Sequence, residues 1–385
     1  MSTRTIDFLR DLVAIDSVNP SLVPGAAGEQ QIAEAIAHAL RASGLDVTLQ
    51  PVEPGRPNVI GVIEGRRPGA TLVLCGHLDT VGVAGMDAPF EPVVRDNRLY
   101  GRGAQDMKGG LAAIVGAARQ VAEGGGLDAG RLIVAGVCDE EDASRGAEAF
   151  VRYWRSAGLA GPCAAVVAEP TELRVGIAHK GFAWLQVTTT GRAAHGSRPQ
   201  EGVDAILRMG RLLARLEEFD RQRQETTAHP LLGPASLHAS FIEGGREWST
   251  YPDRCQLRLE RRTLPGEDLD EPLLEITRIL ESLVHEDEEM AASVDLIFAR
   301  PPYELPADHE FVRRVREAAM SSGANGELSG VSFWADSAVL GEAGIPSVLF
   351  GPGGAGLHGI EEYVRIDDLA LCETALAKLA RAVCV

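Results

Sequence analysis

The first 180 residues alternate between two hydrophobic patterns. Short runs of apolar and β-branched residues have the length of buried strands. Longer stretches carry apolar residues four apart, as on one face of a helix. In the first such stretch Ile32, Ile36 and Leu40 share a face, and Gly44 stands where a helix would end. The sequence thus predicts helices over 28–44 and 107–126, and strands over 58–64, 71–76, 131–137 and 163–169.

This alternation predicts the fold class α/β, with a largely parallel central sheet and helices on both faces. The same pattern returns near the end of the chain. After Pro301 and Pro302, the apolar stretch 344–353 is typical of another buried strand. We therefore expect both ends of the chain to contribute to one α/β domain.

Between these two α/β regions the order of elements changes. Starting near Lys180, the predicted elements follow one another as β-α-β-β-α-β, which is typical of an antiparallel sheet with helices on one face. We predict that this segment, 179–298, is a domain inserted into a catalytic domain made of 1–178 and 299–385. Its predicted strands are 182–191, 235–245, 254–263 and 292–299, and its predicted helices are 202–219 and 268–286.

Composition and charge exclude some classes of partner. The chain has 385 residues, which is long enough for about two domains, and its hydrophobic fraction of 45% and charged fraction of 24% are those of a globular protein. Its net charge of −18 argues against a nucleic-acid binder, because affinity for nucleic acid depends on Lys and Arg that neutralise phosphates. We expect no nucleic-acid partner.

The sequence also indicates a location. Its apolar stretches are too short to span a membrane, and Asp7, Arg10 and Asp11 interrupt the N-terminal stretch where a signal peptide would be apolar. The six cysteines form no CxxC pair and are interpreted as reduced thiols. We expect a cytoplasmic protein with no membrane partner.

Polar side chains follow the predicted strands at the edge where open α/β sheets bind ligands. Taken one at a time they have ordinary explanations: a structural histidine, a solvated acidic loop, or a carboxylate capping a helix. These positions are His77 and Asp79, Asp106, the four acids 139–142, Glu169 and His358.

Their coincidence predicts a metal centre. Two histidines and three carboxylates at one sheet edge form a ligand set for two divalent ions, with one carboxylate bridging. The charges of Asp106, Glu141, Glu169 and a bridging hydroxide would balance two Zn²⁺ ions. One glutamate beside the set has no ligand role, as a general base requires. Asp79 lies two residues after His77, so its carboxylate can approach the imidazole and fix its tautomer.

These residues stand in motifs that resemble the co-catalytic zinc hydrolases, the family that includes acetylornithine deacetylase, succinyl-diaminopimelate desuccinylase, aminoacylase and carboxypeptidase G. The motifs occur in family order and span most of the chain. The resemblance implies the dizinc exopeptidase fold, with the inserted domain as a lid that also forms a homodimer. The matching stretches are GHLDTV, YGRGAQDMKGG, CDEE, AEPTEL, GRAAHGSRPQEG, RRTLPGE and LFGPGGAGLHGIEEYV.

The resemblance assigns ligands for two divalent metal ions, with zinc as the first expectation and cobalt as the alternative. One ion would be held by His77, Asp106 and Glu169. The other would be held by Asp106, Glu141 and His358, so that Asp106 bridges the pair. The family also implies a cis peptide bond after Asp106.

The resemblance assigns roles to five further residues. Glu140 matches the general base, and Asp79 supports His77. His195 matches a lid histidine that reaches the partner subunit's active site. Arg262 matches a contact to the substrate carboxylate, and Lys180 is a second candidate for substrate contact.

Three positions depart from the family pattern. Ser249 occupies a place where many members have asparagine, and a hydroxyl offers one bond where an amide offers a fork. The stretch VGVAG after Asp79 lacks the usual proline, and Leu357 precedes His358 where alanine is common. The serine changes the expected substrate pocket, and none of the three departures touches a proposed ligand or the base.

The expected reaction is hydrolysis of a linear amide, with Glu140 taking a proton from a water activated by the metals. We expect the substrate to be an N-acyl amino acid. A dipeptide, cleaved by a dipeptidase or carboxypeptidase, is the alternative, since both classes present an amide beside a carboxylate. A non-catalytic metal-binding or ligand-binding protein on the same fold is a more distant alternative, which the presence of Glu140 disfavours.

Overall fold

The computed structural model describes residues 3–156, 163–226 and 228–385. The chain divides into two compact units. The first contains Met1–Ile177, Leu305–Ser329 and Ala335–Val385, and the second contains Ala178–Glu304 and Gly330–Trp334. Domain boundaries at 178/179 and 298/299 stay a prediction from the sequence.

The helices of the described residues lie in both units. No helix within 3–156, 163–226 and 228–385 is long and apolar enough to cross a membrane. In chain order the helices are α1 (Thr3–Val13), α2 (Gln30–Ala42), α3 (Gly109–Glu123), α4 (Arg145–Ser156), α5 (Ala205–Thr226), α6 (Glu271–Glu286), α7 (Glu310–Ser322), α8 (Ser337–Glu342) and α9 (Ile366–Val383).

The strands are shorter and more numerous. In chain order they are β1 (Asp46–Glu53), β2 (Arg56–Glu64), β3 (Thr71–His77), β4 (Val93–Arg95), β5 (Arg98–Tyr100), β6 (Arg131–Val137), β7 (Cys163–Val167), β8 (Val175–His179), β9 (Gly181–Thr190), β10 (Ala228–His229), β11 (Gly233–Pro234), β12 (Ser236–Gly244), β13 (Arg254–Thr263), β14 (Ala291–Arg300), β15 (Tyr303–Glu304), β16 (Leu328–Val331), β17 (Ser347–Leu349), β18 (Gly354–Ala355) and β19 (Tyr363–Arg365).

The first unit is built on a mixed sheet in the order β1-β2-β6-β3-β7-β17-β8. Its central strands β6, β3, β7 and β17 are parallel neighbours, whereas β1, β2 and β8 pair antiparallel at the sides. Every residue of β3 is buried, as expected for a central strand covered on both faces. Helices α2, α3, α4, α8 and α9 pack against this sheet, which confirms the predicted α/β class.

Gly110 lets helix α3 approach the end of strand β7. A Cβ atom added at Gly110 would lie 2.1 Å from the carbonyl oxygen of Ala168. That distance is far below any normal contact, so only glycine fits without a shift of the backbone. Gly110 lies four residues after Asp106, and Ala168 directly precedes Glu169. The close contact therefore joins the two segments that carry these carboxylates.

The second unit contains an antiparallel sheet in the order β12-β13-β9-β14. Its main strands and helices follow one another as β9-α5-β12-β13-α6-β14, with the short pair β10–β11 between α5 and β12. Residues on β9 and β13 alternate between buried and partly exposed, so one face of the sheet is apolar. The buried apolar core of this unit includes Leu185, Leu257, Met209 and Leu280.

The two glycines Gly110 and Gly210 offer a matched test of packing. Gly110→Ala should lower the stability of the fold, typically by about 1–3 kcal/mol for an overpacked site. Gly210 lies exposed in α5, and a Cβ added there meets nothing within 4 Å. Gly210→Ala should therefore raise stability by about 0.5–1 kcal/mol through helix propensity. Urea-unfolding midpoints of the two variants should move in opposite directions, and a Gly110→Ala protein as stable as wild type would contradict the packing argument.

Candidate metal centre and active site

The parallel strands of the first unit deliver their polar residues to one edge of the sheet. Strand β3 ends at His77, which lies opposite Val137, the last residue of β6. Strand β7 ends at Val167, opposite Cys75 of β3 on one side and Leu349 of β17 on the other. The segments that leave these strands carry Asp79, the acids 139–142, Glu169 and His358.

The first cluster of potential ligands contains His77, Asp106 and Glu169. Each contributes one donor atom, and the three atoms lie within 4.8 Å of one another. The Nε2 atom of His77 is 3.1 Å from Oδ1 of Asp106 and 4.0 Å from Oε1 of Glu169. His77 and Glu169 are almost completely buried. The three side chains are placed so that they could hold a metal ion.

The second cluster contains Asp106, Glu141 and His358, again with donor atoms within 4.8 Å. The Nε2 atom of His358 is 3.4 Å from Oδ2 of Asp106 and 3.2 Å from Oε2 of Glu141. Asp106 therefore presents Oδ1 to the first cluster and Oδ2 to the second. One carboxylate shared in this way has the arrangement of a bridging ligand.

Two buried oxygens test whether this donor set fits metal ions. Among the described residues, Oε1 of Glu141 and Oε1 of Glu169 are buried and have no hydrogen-bond partner. A carboxylate oxygen removed from water without a partner is costly. A divalent cation would supply the missing interaction for both oxygens, and the donors are the imidazoles and carboxylates that such ions prefer. The side chains of the two clusters therefore suit divalent metal ions.

The charges in the two clusters shift one another's pKa values. Burial raises the pKa of Glu169 and Glu141, with further repulsion from Asp106. Although burial opposes it, hydrogen bonds from His358 and His77 hold the pKa of Asp106 below its ordinary value. Hydrogen bonds to Asp106 and Glu141 raise the pKa of His358 to about 10. The clusters therefore demand positive charge, from protons or from cations.

Asp79 contacts the imidazole of His77 with both its backbone and its side chain. The Nδ1 atom of His77 lies 2.9 Å from the carbonyl oxygen of Asp79 and 3.6 Å from its Oδ1. The carboxylate also accepts the backbone N–H groups of Glu140 and Glu141, each at 3.1 Å. Asp79 thus orients the imidazole through its backbone and uses its side chain to hold the loop that carries both glutamates.

A buried polar network behind this loop was not predicted from the sequence. The Nδ2 atom of Asn19 donates to Asp79 at 2.8 Å and to Asp139 at 3.2 Å. The guanidinium of Arg56 donates to Asp139 at 2.8 Å and to Glu29 at 2.7 Å. Asp139 has φ 67°, a left-handed conformation that needs support from its surroundings. Arg56 stands at the start of strand β2 and was not singled out, because its partners lie far from it in the sequence.

The peptide bond between Asp106 and Met107 is cis, as predicted.

The general-base candidate Glu140 follows Asp139 in the loop after strand β6. Burial raises the pKa of the Glu140 carboxyl well above its ordinary value, and repulsion from Glu169 and Glu141 adds to that shift against the attraction of His77. The structure thus brings Glu140, Asp79 and all five expected ligands to one place in the first unit.

The other three predicted site residues belong to the second unit. His195 is exposed, its Nδ1 lies 2.8 Å from Oγ of Ser197, and its backbone bridges to Thr250. Arg262 donates from Nε to Glu260 at 2.6 Å, and its guanidinium lies 5.5 Å from the ring centre of Phe182.

Lys180 is buried in the second unit, and its Nζ donates to the carbonyl oxygen of Pro234 at 2.5 Å. Burial, with repulsion from neighbouring guanidinium groups, lowers the pKa of this lysine. Its role in substrate contact, like the roles of His195 and Arg262, stays a prediction.

Comparisons with known proteins identify the family of this chain. Residues 73–382 match the model of peptidase family M20/M25/M40. An acetylornithine deacetylase from Myxococcus xanthus is 32% identical over 85% of this chain and 84% of its own. An acetylornithine deacetylase from Vibrio vulnificus is 28% identical over 98% of both chains.

Solved structures show the same fold. A tripeptidase from Staphylococcus aureus superposes with a TM-score of 0.81 at 21% identity, covering 99% of this chain and 98% of the other. A dinuclear metal-binding peptidase from Bacillus subtilis superposes with a TM-score of 0.74 at 18% identity, covering 99% and 98%. We conclude that the chain belongs to peptidase family M20/M25/M40 and is a metal-dependent hydrolase.

Proposed function

We propose that this protein is a metal-dependent amidohydrolase that removes the acyl group from N-acyl amino acids. The observation that carries the proposal is Asp106, whose two carboxylate oxygens face two separate ligand clusters beside Glu140. The similarity to acetylornithine deacetylases supports the substrate class, since those proteins are named for removing an acetyl group from an amino acid.

We propose that His77, Asp106 and Glu169 hold one divalent ion and that Asp106, Glu141 and His358 hold the other, with zinc as the first candidate and cobalt as the second. The unpartnered oxygens of Glu141 and Glu169 support this ligand set. When bound, such ions supply Lewis-acid polarisation of a carbonyl and lower the pKa of a water.

Glu140 is the proposed general base. Its backbone N–H is held by Asp79, so the loop presents its side chain beside the ligand clusters while leaving it outside both of them. It would take a proton from the attacking water and deliver it to the leaving amine. Burial raises the pKa of the Glu140 carboxyl. A raised pKa favours the protonated form that Glu140 would adopt between the two proton transfers.

Arg262 and Lys180 are the proposed substrate contacts. Arg262 would hold the substrate's carboxylate with its planar guanidinium, exchanging its present partner Glu260, and Lys180 is the second proposed substrate contact. His195 is exposed and free of burial constraints, so it can serve the active site of a second subunit. We accordingly propose a homodimer formed through this lid. The six free cysteines support a cytoplasmic location.

The proposed activity is tested with a metal-depleted protein. Titration with Zn²⁺, and separately with Co²⁺, should show two ions bound per chain. The reconstituted protein should hydrolyse N-acetyl, N-succinyl or N-formyl amino acids faster than unmodified dipeptides, measured as kcat/KM across both sets. Faster cleavage of dipeptides would favour the peptidase alternative, and a single bound ion would refute the ligand set.

The two adjacent glutamates should respond differently to substitution. Glu140→Gln should keep both metals and lower kcat by about 10²–10⁴-fold, because general-base catalysis contributes that much. Glu141→Ala should lose one of the two ions. Asp142→Asn, in the same loop, is the matched control and should resemble wild type in both respects. Metal stoichiometry and kcat measured on all three variants decide the assignment, and exchanged phenotypes would mean that the base and the ligand are reversed.

The role of His195 across subunits is tested by mixing two inactive variants. In a dimer of Glu140→Gln with His195→Ala, one active site carries both defects and the other carries neither. Equal mixing with subunit exchange should restore activity toward about one quarter of wild type per site, as two-fold symmetry dictates. Exchange is verified by mass-tagged subunits. Verified exchange without recovery, or an active monomer, would contradict the role.

A further inference from the structure

Glu362 has an unusually complete set of donors for a buried carboxylate outside the ligand clusters. Its Oε1 accepts the backbone N–H groups of Gln105 at 2.9 Å and Asp106 at 3.0 Å. Its Oε2 accepts the N–H of Gly103 at 2.9 Å and Nη1 of Arg102 at 2.7 Å. Both oxygens are therefore fully committed to the turn that ends in Asp106.

Arg102 extends this contact to the loop that carries His358. Its Nη2 donates to the carbonyl oxygen of Gly359 at 3.0 Å, while Nη1 holds Glu362. Arg102 and Glu362 are only 2% and 1% exposed. One buried ion pair therefore contacts the backbone beside Asp106 and His358, two of the three proposed ligands of the second cluster.

His358 needs such an anchor. Its side chain is 54% exposed, so packing does not hold it in place. Its φ of 55° is in the left-handed region, and it lies between Gly356 and Gly359. The loop is closed by an N–H···O bond from Gly359 to Gly356 at 2.8 Å, and Arg102 ties the same Gly359 to the rest of the unit.

The local sheet gives the pair a rigid base. Strand β19 begins directly after Glu362, and strand β5 ends directly before Gly101. The two strands pair antiparallel, with Tyr363 opposite Tyr100, and the N–H of Gly101 donates to the carbonyl oxygen of Glu362. Backbone hydrogen bonds alone therefore place Glu362 next to the turn that contains Arg102, independently of the ion pair between their side chains.

We propose that Glu362 and Arg102 are positioning residues, which hold Asp106 and His358 at the separation that binding of two cations requires. The inference rests on the ligand set of the proposed function. Neither side chain is a ligand in either cluster. Each acts through backbone groups adjacent to a ligand, as outer-shell partners of metal sites do, and loss of such a partner costs about 10–100-fold in metal affinity.

The pair predicts unequal effects of two substitutions. Glu362→Gln replaces one acceptor oxygen by an NH₂ group that faces N–H donors, so the turn before Asp106 shifts. Because Asp106 belongs to both clusters, affinity for both ions should fall by about 10–100-fold. Arg102→Lys keeps a positive charge for Glu362 but lacks the fork needed to reach Gly359 as well. It should weaken mainly the ion that His358 holds.

The experiment is a competition titration of metal-depleted protein with Zn²⁺ against a chromophoric chelator, with Co²⁺ absorption spectra reporting ligand geometry at each step. The control is Glu373→Gln, which removes a buried carboxylate of the same unit that accepts from Gln120 in helix α3. This control should keep both wild-type affinities and the wild-type spectrum. Near-UV circular dichroism without metal verifies folding of each variant.

The outcomes separate this inference from the proposed function. Wild-type affinities and spectra in folded Glu362→Gln and Arg102→Lys would overturn the positioning role alone. If Glu362→Gln does not fold, Arg102→Lys with two wild-type affinities overturns it equally. Wild-type protein that binds fewer than two ions would overturn the ligand set and this inference together. Two ions bound and weakened as described, without hydrolysis of any acyl amino acid, would support the positioning role and reject the activity.

Discussion

Convergence of negative charge at one edge of a parallel sheet is the constraint on which the rest of the first unit depends. Six carboxylates gather there, and like charges at such distances repel one another strongly in a partly buried environment. The fold compensates some of these charges with its own donors and leaves others without a full set of partners. The six are Asp79, Asp106, Asp139, Glu140, Glu141 and Glu169.

The forms of compensation distinguish structural acids from functional ones. Asp139 is balanced by Arg56 and Asn19, and Asp79 by Asn19 and backbone N–H groups, so their charges are used up within the protein. Glu141 and Glu169 retain buried oxygens without a partner among the described residues. In the proposed ligand set, a bound cation would supply the partner that these two oxygens lack.

Much of this arrangement could be predicted because it depends on local signals. Strands such as β3 and β6 have long apolar runs, and the residues after them necessarily meet at one edge when neighbouring strands are parallel. Among the elements that were not predicted, the two- and three-residue strands β4, β5, β18 and β19 are too short to show any periodicity. The Asn19–Asp139 and Arg102–Glu362 contacts were also missed, since residues distant in sequence leave no local pattern.

The two ligand clusters differ in exposure, because His77 is buried whereas the side chain of His358 is 54% exposed. With the proposed ligand set, the ion on the His77 side is enclosed and the ion on the His358 side faces solvent. We would then expect the ion on the His358 side to exchange with the surroundings faster than the ion on the His77 side. When metal is scarce, such a protein would hold one ion per chain. Its activity would then depend on how often the more exposed site, on the His358 side, is filled.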